Sequence, residues 1–125
     1  MTPTETRAVI RMAVQACMAA DAAAFASLFA TDGQLVLPGQ TLTGRAAIQA
    51  TTTAYLATLT AIEIELVQMI VEGDHAAIAW IWQATQTATG DRQQSENAIL
   101  LAFRRGFITS WREYSAVTVT VSPPS

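Results

Sequence analysis

The stretch Ser95–Val121, SENAILLAFRRGFITSWREYSAVTVTV, constrains the chain more than any other. It reads as two long strands joined by a tight turn at Arg104-Arg105-Gly106. Three residues ending in glycine suit a type I turn followed by a left-handed residue, which glycine adopts without steric cost. With Phe103 and Phe107 flanking that turn, Leu101 is expected opposite Thr109, Ile99 opposite Trp111, and Asn97 opposite Glu113. Side chains alternate along a strand, so these six residues share one face. The face is apolar except where it sets an amide beside a carboxylate. A slip of one residue would destroy that arrangement.

The chain before the hairpin reads as helices followed by strands. Thr2-Pro3-Thr4-Glu5 has the form of a capping box with proline at the first helical position. Val9, Met12, Ala13, Ala16, Cys17 and Ala20 then form one apolar stripe. Asp21 is placed to cap a second helix, Ala22 to Ala30, which Thr31-Asp32-Gly33 ends. A short strand is expected from Gln34 to Leu37. A third helix follows from Arg45 to Leu56, anchored by Ala47, Ile48 and Tyr55. Strands are predicted over Ile62–Glu72 and Ala76–Thr89, turning at Gly73-Asp74. Pairing Trp80 with Leu66 and Trp82 with Ile64 keeps Glu63 and Glu65 outside. Helices segregated before strands imply an α+β domain, an antiparallel sheet covered on one face by helices. One domain over residues 1–121 is expected, with Ser122-Pro123-Pro124-Ser125 as a frayed tail.

Composition narrows the function. The net charge of −3 and the absence of any basic cluster beyond Arg104-Arg105 argue against nucleic-acid binding. No apolar run approaches the roughly 20 residues needed to cross a bilayer. A single cysteine, Cys17, makes no internal disulfide and fits a cytoplasmic location, and one histidine, His75, leaves no zinc or haem cluster. No metal or cofactor is expected.

Three segments, Phe25-Ala26-Ser27-Leu28-Phe29-Ala30-Thr31-Asp32-Gly33, Leu42-Thr43-Gly44-Arg45-Ala46-Ala47-Ile48 and Ile108-Thr109-Ser110-Trp111-Arg112-Glu113-Tyr114, resemble the SnoaL-like families. These belong to the nuclear transport factor 2-like superfamily, with ketosteroid isomerase and limonene epoxide hydrolase. The resemblance implies a cone, in which a strongly curved sheet wraps three N-terminal helices around an apolar pocket, often in a homodimer. The chain departs from both enzymes at their catalytic positions. The isomerase base falls on Leu37, its tyrosine near Ala13, and its second aspartate near Leu100 or Leu101. The hydrolase motif Trp-Arg-Asp-Tyr matches Trp111-Arg112-Glu113-Tyr114, which puts Glu113 at a catalytic acid. The hydrolase's remaining arginine and aspartate fall on Trp80 and Trp82, and its water-holding residues on Leu35 and Leu37.

Glu113 is therefore the main candidate for catalysis. Beside Trp111 it would be desolvated, its pKa raised, and fit for general acid or base work, with Asn97 orienting it or binding a substrate oxygen. A hydrated glutamate at the pocket mouth, or one paired with Arg112 or Arg45, is the alternative. Leu35, Leu37, Tyr55, Trp80, Trp82, Ile99 and Trp111 are the expected lining for a small apolar ligand. Ile108, Tyr114, Ala116 and the Val/Thr run of the last strand suggest a homodimer. Two functions stay open: a cofactor-independent cyclase, isomerase or hydratase, and a non-catalytic ligand-binding or dimerisation module.

Overall fold

The computed structural model describes residues 1–122, so the expected fraying of residues 123–125 lies outside the described part. The chain begins with α1 (Pro3–Met18), whose capping box is complete: Thr2 accepts from the Glu5 amide and Glu5 from the Thr2 amide. Helix α2 (Ala22–Ser27) starts at Asp21, which accepts from the Ala24 amide at 3.0 Å. It is shorter than expected, because β1 (Phe29–Leu37) already begins where the sequence reads as helix. An unanticipated strand, β2 (Gln40–Thr43), pairs with β1, and α3 (Arg45–Leu56) follows with the expected boundaries. Ile48, Thr52 and Leu56 anchor α3, whereas Tyr55 stands half exposed, on the side of the helix that meets Trp82.

Four long strands complete the domain: β3 (Leu59–Glu72), β4 (His75–Gln86), β5 (Arg92–Arg104) and β6 (Phe107–Val121). They form one curved, unclosed sheet in the order β2-β1-β6-β5-β4-β3, antiparallel except where β1 runs parallel to β6. The fold is α+β, as the segregation of helices and strands implies. Ile64 pairs with Trp82 and Leu66 with Trp80, so both indoles face inward and Glu63 and Glu65 stay outside.

The central hairpin corrects the expected register. Arg105 and Gly106 have φ of 54° and 86°, so the turn has two residues, both left-handed, between paired Arg104 and Phe107. The right-handed twist of the strands favours this primed turn over the expected three-residue loop. A bulge between Ala102 and Phe103 then adds one more residue on β6. Leu101 consequently pairs with Trp111, Ile99 with Glu113, and Asn97 with Ser115. The two single-residue offsets add to an even shift, so Asn97, Ile99, Leu101, Trp111 and Glu113 keep a common face. Thr109 leaves that face, and fully buried Ile108 occupies it instead.

The core lies between α1, α2, α3 and the inner sheet face, with Ile10, Phe29, Ile48, Ile99, Leu101 and Ile108 almost fully buried. Gly33 permits the close crossing of β1 over β6. A Cβ there would meet the Ile108 carbonyl oxygen at 2.9 Å and the Ala30 carbonyl oxygen at 3.0 Å. Past this point β1 settles into register, with Leu35 beside Trp111.

Candidate active site

Beyond the core the sheet curls away from the helices and leaves a cavity of about 480 Å³. That size is ordinary for a small-molecule site. Strands β5 and β6 supply its polar strip: Gln93, Ser95 and Asn97 alternate on one, and Glu113, Ser115 and Thr118 lie on the other. Strand β4 supplies Trp80 and Trp82, β1 supplies Leu35 and Leu37, and the helices contribute Cys17, Phe25, Thr52, Tyr55 and Leu56. The aromatic rings form a continuous wall. Trp80 lies 5.6 Å from Trp111 and 6.2 Å from Trp82 between centroids, Phe25 meets Trp111 edge-on at 5.2 Å, and Tyr55 stacks on Trp82 at 6.4 Å.

Glu113 is the only carboxyl among these residues. Trp111, two residues earlier on the same face, donates from Nε1 to Glu113 Oε1 at 3.1 Å. Asn97, a diagonal neighbour in the true register, donates from Nδ2 to Oε2 at 2.9 Å. Diagonal positions across an antiparallel pair remain within reach of a long side chain, and this preserves the contact despite the shift. Burial raises the Glu113 pKa, and the bonds from Trp111 and Asn97 offset part of that rise by stabilising the carboxylate. Arg45 is not its partner, since that side chain donates to the Phe29 carbonyl oxygen and packs over Phe107. Arg112 points to the opposite, exposed side of β6.

Asn97 is 7 % exposed, and its Oδ1 has no hydrogen-bond partner; the same holds for Trp80 Nε1. Turning the Asn97 amide end for end would present Oδ1 to Glu113 as an acceptor for a carboxyl proton. The side chain thus has a bonding arrangement for each protonation state of Glu113: Nδ2 for the carboxylate, Oδ1 for the acid. Cys17 and Tyr55 face the same group from α1 and α3. Burial and then the Glu113 charge push the Cys17 thiol up to about 12, and burial likewise raises Tyr55. Both keep their protons, and Glu113 is the lining residue suited to exchange one.

Eight of the nine residues expected from the sequence line this cavity: Glu113, Asn97, Leu35, Leu37, Tyr55, Trp80, Trp82 and Trp111. Ile99 does not. Although the register pairs it with Glu113, it is fully buried and packs in the core cluster. Gln93 and Ser95 went unrecognised although they continue the period-two face of Asn97. Gln40 and Leu42 were missed together with β2. Among the described residues no three His, Cys, Asp or Glu side chains gather as a metal site, and no helix is long and apolar enough to cross a membrane.

A curved sheet packed on three helices, with an apolar pocket at its open end, defines the nuclear transport factor 2-like class of fold. Within it the chain belongs to the SnoaL-like domain family, whose pattern matches residues 10–111. That match ends two residues before Glu113. A protein of ketosteroid isomerase-like fold from Catenulispora acidiphila, solved in complex with trimethylamine, is 25% identical. The alignment covers 91% of this chain and 86% of that one, with a TM-score of 0.79. TsrD from Streptomyces laurentii superimposes with a TM-score of 0.81 at 14% identity, covering 92% and 90% of the two chains. A protein named as a SnoaL-like polyketide cyclase, from Jannaschia sp., gives 0.80 at 12% identity, covering 92% and 89%. Among curated proteins none matches the sequence.

Proposed function

We propose that this protein is cytoplasmic, that it binds a small apolar metabolite and that Glu113 moves a proton to or from it, as in a cofactor-independent cyclase, isomerase or hydratase. The observation carrying this reading is a single largely buried carboxyl, held by Asn97 and Trp111 at the wall of an otherwise uncharged cavity. A carboxyl of raised pKa is effective in both directions of proton transfer closer to neutrality than an ordinary one. Asn97 acts as a positioning residue, fixing the carboxyl and following its protonation state. The aromatic wall supplies binding area and excludes water.

A second reading, ligand holding without chemistry, is favoured by the lack of a second group able to accept a proton, since Cys17 and Tyr55 are both pushed toward the protonated form. Incubation of cyclic ketones with the protein in D₂O, followed by proton NMR, separates the two. Deuterium incorporation that vanishes in Glu113→Gln supports catalysis, and line broadening of the ketone without incorporation supports the binding module.

The same reading includes a homodimer. On the outer sheet face Ile70, Leu100 and Tyr114 are each about half exposed and form an apolar surface. Ile108 takes no part, because it is fully buried on the inner face.

A further inference from the structure

The Glu113 carboxyl has no cationic partner, and the cavity offers none. The chain contains no lysine, and neither its seven arginines nor its single histidine lines the pocket. Among the described residues, ion pairs join Arg92 to Glu63 and Arg104 to Asp32, and none of those four side chains lines the cavity. An anionic ligand would therefore meet a like charge and no countercharge among the lining residues. Trp80, Trp82, Trp111 and Tyr55 line the same cavity as Glu113. Aromatic faces attract cations, most strongly where water is excluded. Asn97 and Trp111 each occupy one carboxylate oxygen, and both oxygens retain acceptor capacity for a third donor.

We propose that the ligand of this pocket is a small apolar amine, held as its ammonium by the Glu113 carboxylate and the surrounding aromatic rings. The proposal rests on the pocket reading above and names the ligand's charge and functional group. Two loading routes reach one product. An ammonium ion entering beside the protonated acid displaces the carboxyl proton to solvent. A neutral amine instead takes that proton directly, breaking the O–H bond and forming an N–H bond. Either way the bound state is one carboxylate and one ammonium. Loading thereby produces the carboxylate that proton abstraction from the ligand would require.

The groups facing Glu113 are Cys17 from α1, Tyr55 from α3, and Asn97, Trp111 and Ser115 from the sheet. None carries a charge that competes with the ligand. Amine affinity then rises with pH through the Glu113 transition, until the amine itself loses its proton.

The chain's three tryptophans all line the cavity, so intrinsic fluorescence reports its occupancy. Benzylamine, benzyl alcohol and benzoate are probes of one size in three charge states. At about pH 8 benzylamine should bind about tenfold tighter than benzyl alcohol, with benzoate weakest. That advantage should shrink as the pH falls through the Glu113 transition in the unsubstituted protein. In Glu113→Gln, whose amide can still pair with Asn97, benzyl alcohol should still bind and the benzylamine advantage should shrink to the part the aromatic rings supply alone. An alcohol that binds as well as the amine, or an amine advantage that is undiminished in Glu113→Gln, overturns the proposal. Alcohol binding without amine preference overturns only the amine and leaves the pocket reading standing. No fluorescence response to any probe, from a protein folded by circular dichroism, overturns both.

Discussion

Asn97→Ala tests the coupling between the amide and the acid. Asn97 is almost wholly buried and donates to Glu113 over 2.9 Å. A hydrogen bond to a charged group contributes about 1.5–3 kcal/mol, and one between neutral groups about 0.5–1.5 kcal/mol. The substitution should therefore cost roughly 1–1.5 kcal/mol more where Glu113 is ionised than where it is protonated. The small void left by the side chain adds a cost that does not depend on pH and cancels in this difference. Linkage gives the same sign. Burial raises the Glu113 pKa on folding, so this group's contribution to stability is complete below the ordinary carboxylate pKa and is lost as pH rises through the folded value. Removing a donor to the carboxylate raises the folded value further and enlarges that loss. Urea unfolding across a pH series, with Glu113→Gln and the double variant closing a cycle, measures the effect; in thermal melts about 1 kcal/mol corresponds to about 4 °C for a domain of this size. A cost for Asn97→Ala that is equal at both ends of the series, or that adds to Glu113→Gln without coupling, would refute the reasoning.

Ile99→Ala should destabilise the protein by about 2–5 kcal/mol in denaturant titrations while leaving probe affinity unchanged, because the residue is core and not lining. Trp82→Ala, on the half-buried part of the aromatic wall, should instead weaken ligand binding measured by calorimetry. Gly33→Ala should lower stability by about 1–3 kcal/mol in thermal melts, since its Cβ would press on two backbone carbonyls of fixed strands. Leu100→Arg on the outer sheet face should give a monomer by light scattering at micromolar concentration, whereas the unsubstituted chain should be a dimer; a dimer in both would place the interface elsewhere.

The helix starts and the facing of the long strands were legible because each depends on local chemistry. The Thr2–Glu5 box, the Asp21 cap and the inward alternation of Trp80 and Trp82 all follow from neighbours in sequence. Strand β2 was not legible, since its four residues carry no apolar alternation and are held by pairing to β1. The hairpin register depended on whether Arg105 would accept a left-handed conformation, which for a non-glycine residue is set by strand twist and not by its own preference. The acid and its amide partner survived that error because the two offsets cancelled in parity. Cys17 and Phe25 became visible at the site only once the helices lay across the sheet. Sequence spacing within one helix carries no information about what sits opposite.

The local hairpin also favours one order of assembly. Asn97 and Glu113 lie on adjacent strands of one tight loop, so a hydrogen bond between them needs little loop closure. The β1–β6 pairing and the helix cover join segments far apart in the chain, and such contacts form more slowly. In a hairpin formed first, Glu113 is still wet and behaves as an ordinary carboxylate. Docking of α1 and α3 then removes its water. Where ambient pH lies between the wet and buried pKa values, that docking step consumes a proton from solution. Refolding in a weakly buffered solution with an indicator dye would show alkalinisation in the late kinetic phase, and Glu113→Gln would erase it.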